Sequence, residues 1–285
     1  MRFFAVLISL MMAITLAGMS WAQPPADSAD SHAEVVLAGS GTVRVLYVPA
    51  EGWAFPDEAG EPRGVTADLM RWFAEWLEQD RGLDVTLDFV PETDWRVFYA
   101  RVRDAGDGVL GLGNVTITEA RAEELAFSPP YLQNIAVLVS HRQVPELEGP
   151  QDIAEQFSEL TPLAFEGTLH EMRLRELAQT HLPDTQLAFS GSNDDILERV
   201  AGGGYFAYVD GYNYFRAREQ GAELRRHAAF DDPGEEFGVI MPLGSDWQPV
   251  LEAFFQHDGG VLVSERYRHI LSRHLGDSVT EMLSD

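Results

Sequence analysis

The residues best suited to chemistry lie between positions 113 and 130, in the segment GNVTITEARAEELAFSPP. An apolar run at 109–112 predicts a buried strand that leads into Thr116 and Thr118, and Arg121 follows in what we interpret as the first turns of a helix. Thr118 suits the N-cap, because its hydroxyl can accept from the free backbone N–H groups of that turn. The helix N-terminus and the planar guanidinium would then face one small volume. This combination predicts a carboxylate-binding site, since arginine can bind both carboxylate oxygens at once.

An acid of opposite charge ends a second predicted strand, because the apolar residues 206–209 are followed by Asp210. Ligands of open α/β sheets bind beyond the carboxyl ends of the strands. Arg121 and Asp210 could therefore bind a zwitterion from two sides. Each also has a structural interpretation: Arg121 could pair with Glu123 or Glu124 at the surface, and Asp210 could cap the helix that follows it.

With its continuation Phe-Ser-Pro-Pro-Tyr at 127–131, this segment resembles the signature of family 3 extracellular solute-binding proteins. These are the two-lobed receptors that supply polar amino acids to ABC importers. The resemblance extends over about residues 43–276 and implies a type II periplasmic-binding-protein fold. It also implies that Arg121 holds the α-carboxylate and Asp210 the α-ammonium group of an amino acid.

The same resemblance implies further polar contacts to the ligand. Thr116 should offer its hydroxyl and its backbone N–H group, and Asn114 lies where the family supplies a backbone carbonyl. Gly167 and Thr168 are expected to form the small-residue loop of the second lobe, at a helix N-terminus that can donate to the carboxylate. Their alternative is an ordinary N-cap. Thr118 completes the predicted polar set.

Aromatic side chains are expected to cover the apolar part of the ligand. Trp95 matches a family position that packs on the ligand, and Trp53 or Phe55 lies in the loop after the first strand. Both tryptophans could instead belong to the core.

The chain departs from the family at two acidic positions that bear on the ligand. Glu166 follows Phe165 where a basic or small polar residue is common, and Glu51 lies in an unusual loop at 50–61. If they face the cleft, they would favour a ligand with a second cation, or with an amide or hydroxyl donor.

The elements that must position these residues alternate along the chain. Apolar runs predict strands, and apolar residues at helical spacing, as at Val65, Leu69 and Phe73, predict helices. The predicted strands are 43–48, 86–90, 109–112, 135–140, 163–165, 187–189, 206–209 and 237–241, and the predicted helices are 65–77, 95–103, 169–180, 194–200, 247–256 and 264–275. Such alternation predicts an α/β fold in which each lobe is a mostly parallel sheet flanked by helices.

The domain organisation follows from where the chain crosses between lobes. Residues 1–22 are expected to be a secretory signal peptide, with an apolar run and a small-x-small cleavage site. Residues 23–38 are predicted to be disordered. Residues 39–134 and 237–285 are predicted to form the first lobe and 135–236 the second. Two crossings give a two-strand hinge, near 131–136 and 232–237.

Composition excludes several classes of function. The net charge is −26, which argues against nucleic acid and anionic membranes as partners; a salty habitat is one hypothesis for it. All basic residues are arginines, so a P-loop lysine and a pyridoxal Schiff base are excluded. The chain has no cysteine. The eight histidines show no metal-binding spacing, and no Gly-x-Ser-x-Gly motif surrounds a serine, so we predict no metal, cofactor or catalytic residue.

The function predicted from these residues is a soluble periplasmic receptor, a monomer, that captures an amino acid or similar zwitterion and docks on the permease subunits of an ABC importer at the inner membrane. Two alternatives stay open at this point. Similar modules lie at the amino end of lytic transglycosylases and of sensor kinases, so the protein could sense a ligand such as a peptidoglycan fragment. The fold also resembles cyclohexadienyl dehydratases, for which Glu166 would be the candidate acid.

Overall fold

The computed structural model of the protein describes residues 27–277 and 279–280. The α-helices of these residues are α1 (His32–Ala38), α2 (Val65–Arg81), α3 (Trp95–Arg103), α4 (Glu119–Ala122), α5 (Ile153–Gln156), α6 (Leu169–His181), α7 (Asn193–Ala201), α8 (Gly211–Glu219), α9 (Gln248–Gln256) and α10 (Glu265–Leu275). The strands are β1 (Ser40–Tyr47), β2 (Phe55–Pro56), β3 (Pro62–Arg63), β4 (Asp84–Pro91), β5 (Val109–Thr116), β6 (Leu125–Phe127), β7 (Leu132–His141), β8 (Thr161–Phe165), β9 (Ala188–Ser190), β10 (Tyr205–Asp210), β11 (Leu224–Arg226) and β12 (Asp232–Pro242). Within the described residues, no helix is both long and apolar enough for a membrane span.

Ten of the described strands form one large sheet, in which the main order is β4-β1-β5-β12-β7-β10-β8-β9. Strand β6 pairs with β12 and β11 with β7, while β2 and β3 form a separate hairpin. At one end β1 pairs in parallel with β4 and β5, and at the other β8 pairs in parallel with β10 and β9. We call the first set, with its helices, the first lobe and the second set the second lobe. Between them lie β7 and β12, which pair antiparallel with Asp232 opposite Ala136 and Phe237 opposite Leu132. The mixed α/β fold predicted from the sequence is confirmed, and the two crossing segments lie side by side where a hinge was expected.

Helical spacing identified the long helices because each buries one apolar face. In α2, Leu69 and Phe73 are fully buried, and the ring of Phe73 lies 5.4 Å from the ring of Phe254 in α9. The second lobe has its own apolar clusters, in which the ring centroids of Phe157 and Phe206 are 4.4 Å apart. These separate clusters agree with the proposed division into lobes, whose boundaries stay a prediction.

The loop between β1 and α2 is held by a close backbone contact. Gly64 precedes α2 with φ 117°, and a Cβ atom there would lie 2.3 Å from the carbonyl oxygen of Trp53. Only glycine combines this backbone conformation with such an approach. The contact holds the turn that contains Trp53 against the start of α2.

The prediction of a disordered leader at 23–38 is wrong for residues 27–38. Ser31 and Glu34 form a capping box at the start of α1, and Val35 is fully buried. Asp27 pairs with Arg101 at 2.8 Å. The polar composition concealed a capping signal and one apolar anchor. The predicted signal peptide and residues 23–26 lie outside the described residues.

Candidate functional site

A cavity of about 290 Å³ lies between the two lobes. On the first-lobe side it is lined by residues that follow β1 and β4 and by the end of β5. On the second-lobe side its lining follows β8, β9 and β10. The lining therefore lies at the carboxyl ends of parallel strands, where ligands bind in such sheets.

Arg121 lines this cavity from the first lobe without a counter-ion. Its Nη1 donates to the carbonyl oxygen of Thr116 at 3.0 Å, and its guanidinium lies 5.3 Å from the ring centroid of Trp95. Burial lowers the pKa of Arg121 below its usual value. Within the described residues, no carboxylate is within ion-pair distance of it, and Glu124 instead accepts from the hydroxyl of Tyr99 at 3.2 Å. The alternative that Arg121 pairs at the surface with Glu123 or Glu124 is therefore wrong.

The helix expected at Arg121 is shorter than predicted. Thr118 is its N-cap and accepts from the backbone N–H of Arg121 at 3.2 Å, but α4 ends at Ala122 after one turn. The chain then forms β6, because the apolar residues 125–127 pair with β12. The guanidinium, rather than the dipole of a long helix, supplies the positive charge here. Thr118 itself does not line the cavity, and its hydroxyl caps α4.

Asp210 lines the cavity from the second lobe and is 8% exposed. It occupies the N-cap position of α8, but its side chain makes no capping hydrogen bond. Its Oδ1 accepts from Asn134 Nδ2 at 2.7 Å and from His170 Nε2 at 3.0 Å. Its Oδ2 makes no hydrogen bond within the described residues. Only one of the two carboxylate oxygens is thus held by the protein among the described residues.

A closed polar network holds Asp210 in place. The same amide group of Asn134 donates to Glu235 at 2.7 Å, and Arg173 pairs with Glu235 at 2.5 Å. Arg173 Nη1 lies 3.4 Å from His170 Nδ1. Because a carboxylate accepts and a guanidinium donates, the geometry assigns the proton of His170 to Nε2 and leaves Nδ1 as an acceptor. The network ties Asp210 to both crossing strands, β7 and β12.

The other predicted site residues divide into two groups. The cavity is lined by Thr116, Asn114, Thr168, Trp95 and Trp53. It is not lined by Phe55 or Gly167. Phe55 pairs with Arg63 in the β2–β3 hairpin, which takes it out of the cavity. Gly167 gives its backbone N–H to Glu171 at 2.7 Å.

Several predicted residues have structural contacts besides their place in the cavity wall. Asn114 accepts from the hydroxyl of Tyr131 and donates to that of Tyr212, both at 2.8 Å, so its side chain links the lobes. Thr168 is the N-cap of α6, and its hydroxyl donates to Phe165 O at 2.8 Å. Trp53 is 1% exposed and lies 5.0 Å from the Tyr212 ring.

The two acids that depart from the family have different positions. Glu166 does not line the cavity: its half-exposed side chain pairs with Arg96 at 3.0 Å. A dehydratase-like reaction would need an acid within the cleft, so Glu166 gives no support to that alternative. Glu51 lines the cavity and lies 3.3 Å from the guanidinium of Arg216.

Sequence reasoning missed His170, Asn134 and Arg216. His170 is two residues beyond Thr168, and Arg216 shares a face of α8 with Tyr212, so local spacing could have identified both. Asn134 gave no local signal, because its partners Asp210 and Glu235 are 76 and 101 residues away.

Comparison with known proteins gives one family. The sequence model of bacterial extracellular solute-binding proteins, family 3, matches residues 43–246. A curated relative, the membrane-bound lytic murein transglycosylase F of Maricaulis maris (strain MCS10), is 30% identical over 173 residues, which cover 60% of this chain and 35% of that protein. The chain thus spans about a third of this relative.

Solved structures of the same fold include transport proteins. An ABC uptake transporter substrate-binding protein from Streptococcus pneumoniae with bound histidine has a TM-score of 0.66 and 15% identity, with 87% of this chain and 96% of that chain covered. The arginine-, lysine-, histidine-binding protein ArtJ from Geobacillus stearothermophilus has a TM-score of 0.63 and 17% identity, with 83% and 96% covered. At these identities the likeness establishes the fold.

Proposed function

The chain belongs to the bacterial extracellular solute-binding proteins of family 3, and from that premise we propose that it captures an amino acid or a similar small zwitterion in the cavity between its lobes. One observation carries the proposal. Arg121 and Asp210, of opposite charge, line one cavity from opposite lobes, and neither has an arginine or carboxylate counter-ion within the described residues. Two desolvated charges of opposite sign suit a solute that brings both counter-charges.

In the proposed complex the α-carboxylate lies on Arg121, with Thr116 as a second donor, and the α-ammonium group lies on Asp210 Oδ2. Trp95 and Trp53 cover the apolar part of the ligand. Each charge-assisted hydrogen bond contributes about 1.5–3 kcal/mol. Micromolar affinity corresponds to about −8 kcal/mol, and three or four such bonds are of that order before the costs of association.

We further propose that ligand binding closes the lobes and that the closed protein delivers its ligand to an ABC importer at the inner membrane. The two crossing strands β7 and β12 provide the hinge for such a closure. Family membership supports an extracellular, here periplasmic, location, and the solved proteins of similar fold include components of ABC transport. Titration of purified permease subunits with the protein, in the presence and absence of ligand, tests this step. Equal binding in both conditions would contradict it.

The Arg121→Ala variant tests the binding site directly. It should lose the ligand by a hundredfold or more, because a bidentate charge-assisted pair disappears. The melting temperature without ligand should fall little, since the guanidinium has no counter-ion to lose. Calorimetric titration with the amino acids that stabilise the wild type measures the affinity, and a thermal unfolding scan without ligand measures the melting temperature. Arg103→Ala removes an exposed arginine paired with Asp104 and serves as the control. Unchanged affinity in Arg121→Ala would remove the carboxylate assignment.

A second candidate function rests on the transglycosylase relative. Its 30% identity over 173 residues is consistent with a module that binds a cell-wall fragment and senses it. A thermal-shift screen that includes both amino acids and muropeptides separates the two functions, because any ligand of the native state raises the melting temperature. Stabilisation by muropeptides alone would favour the sensing module.

A further inference from the structure

A second guanidinium enters the cavity beyond the predicted site. Arg216 lies on α8, six residues after Asp210, and lines the cavity with Tyr212. Its side chain is 15% exposed. A role for Arg216 in binding rests on the proposed function, since it concerns the side chain of the captured amino acid.

The guanidinium of Arg216 has hydrogen-bonding capacity to spare. Its Nη2 donates to Asp194 Oδ1 at 3.1 Å. Its Nη1 is buried and has no hydrogen-bond partner within the described residues, although Glu51 Oε2 lies 3.3 Å away as an ion pair. An unpartnered buried donor is costly unless a ligand satisfies it.

A neighbouring cavity residue adds a donor of the same kind. The indole Nε1 of Trp53 is also buried without a partner among the described residues, and its ring lies 5.0 Å from that of Tyr212, the residue four positions before Arg216. Arginine and indole N–H groups donate and never accept. Two buried donors at this end of the cavity, Arg216 Nη1 and Trp53 Nε1, therefore have no hydrogen-bond partner among the described residues.

The exposed fractions of the charged side chains indicate which charge a ligand meets at this end of the cavity. Glu51 and Asp194 are 58% and 70% exposed in their side chains, whereas Arg216 is 15% exposed. The acids thus lie at the solvent rim, where water and salt screen their charges. A carboxylate within the cavity could replace Glu51 at small cost, whereas an ammonium group would meet the buried guanidinium. This reverses the sequence-based expectation of a second cation.

We propose that Arg216 determines ligand specificity and that the ligand is an α-amino acid with a second carboxylate in its side chain, such as glutamate or aspartate. Arg121 binds the α-carboxylate, Asp210 the α-ammonium group and Arg216 the side-chain carboxylate. The planar fork of Arg216 suits a carboxylate better than a single amide oxygen.

Calorimetric titration of the exported protein with L-glutamate, L-glutamine and L-lysine tests the proposal. Glutamate should bind about tenfold to a hundredfold more tightly than glutamine, which corresponds to one or two charge-assisted hydrogen bonds. Arg216→Gln should abolish this preference and leave glutamine binding within about threefold. Arg218→Gln, an exposed arginine on the same helix outside the cavity, should keep the preference.

The outcomes separate this inference from the proposed function. If glutamine or lysine binds the wild type as tightly as glutamate, the inference is overturned and the receptor function stands. If no α-amino acid binds, the receptor function itself fails. Glu51→Gln should not weaken glutamate, because it removes only the rim competitor. An equal loss of glutamate in Glu51→Gln and Arg216→Gln would show that the ion pair only supports the fold. If Arg216→Gln fails to fold, the wild-type ligand series decides alone.

Discussion

One residue of this site carries an unpaired charge, which the stability of the fold alone would not favour. Arg121 is half-buried beside Trp95 without a carboxylate partner among the described residues, and desolvation lowers the pKa of its guanidinium. A desolvated charge of this kind costs stability unless it is paired. Asp210 is buried, and among the described residues its side chain is held only by an amide and an imidazole. Functional sites are where such uncompensated groups are retained, because a ligand completes them.

At the residue scale, Asp210→Asn should discriminate between ligands. Its carboxylate is proposed to bind the α-ammonium group, so amino acids should weaken about tenfold or more while matched acids without the amine weaken little. Calorimetry with glutamate and glutarate, or whichever pair the screen identifies, measures the difference.

Asn193→Asp is a useful comparison for Asp210→Asn, since it changes a charge elsewhere in the cavity wall. Equal losses for both ligand types in Asp210→Asn would argue against an ammonium contact.

At the scale of elements, buried polar side chains add links between neighbouring strands of the large sheet. Asn134 of β7 links Asp210 at the end of β10 to Glu235 of β12. In the second lobe, His227 likewise links separate segments through buried hydrogen bonds. Its Nδ1 accepts from Leu147 N at 3.1 Å, and its Nε2 lies 2.8 Å from the hydroxyl of Ser140 in β7. Protonation of Nδ1 would break the first of these bonds.

His227 predicts an acid sensitivity of the second lobe. Burial lowers the pKa of His227 from 6.5 to about 4 in the folded state. The unfolded state therefore binds this proton first, and the contribution to stability is full above pH 6.5 and declines as the pH falls towards 4. The loss is on the order of 3 kcal/mol, at about 1.4 kcal/mol per pKa unit. Denaturant unfolding at several pH values measures it.

His227→Asn keeps an acceptor near Nδ1 but cannot titrate, so its unfolding free energy should depend less on pH between 6.5 and 4. His181→Gln, which removes another histidine from the same lobe, should behave like the wild type. An imidazole titration by NMR with a pKa near 6.5 for His227 would contradict the expectation.

At the scale of the whole molecule, the excess of negative charge determines how the melting temperature responds to salt. The chain carries 46 acidic and 20 basic residues. Screening weakens both the surface ion pairs and the general repulsion, but the excess of acids makes repulsion the larger effect. The melting temperature should therefore rise as sodium chloride is increased from about 0.05 to 1 M, a range over which the screening length falls to about 3 Å.

Sucrose at equal osmolality is the control, because it adds no screening. A melting temperature that falls with salt would mean that specific ion pairs outweigh the net charge, and it would remove the argument for a salty habitat.

Much of this fold was predictable because its signals are local. Helix α3 has the predicted bounds, and α6 and α10 differ from prediction by one residue at one end. Apolar periodicity reports which face of an element is buried, and that pattern does not depend on distant residues. The local signature around Arg121 was likewise sufficient to indicate the family that the comparison then established.

Only the tertiary structure decided which side chains share the cavity. Arg121 and Asp210 were paired by inference, but the hydrogen bonds of Asp210 to Asn134 and His170 join residues from three elements. The exclusion of Phe55 depends on its pairing with Arg63 in the β2–β3 hairpin. The exclusion of Glu166 and the inclusion of Arg216 go with their ion pairs to Arg96 and Glu51. These contacts join distant parts of the chain, so the local periodicity of the sequence does not predict them.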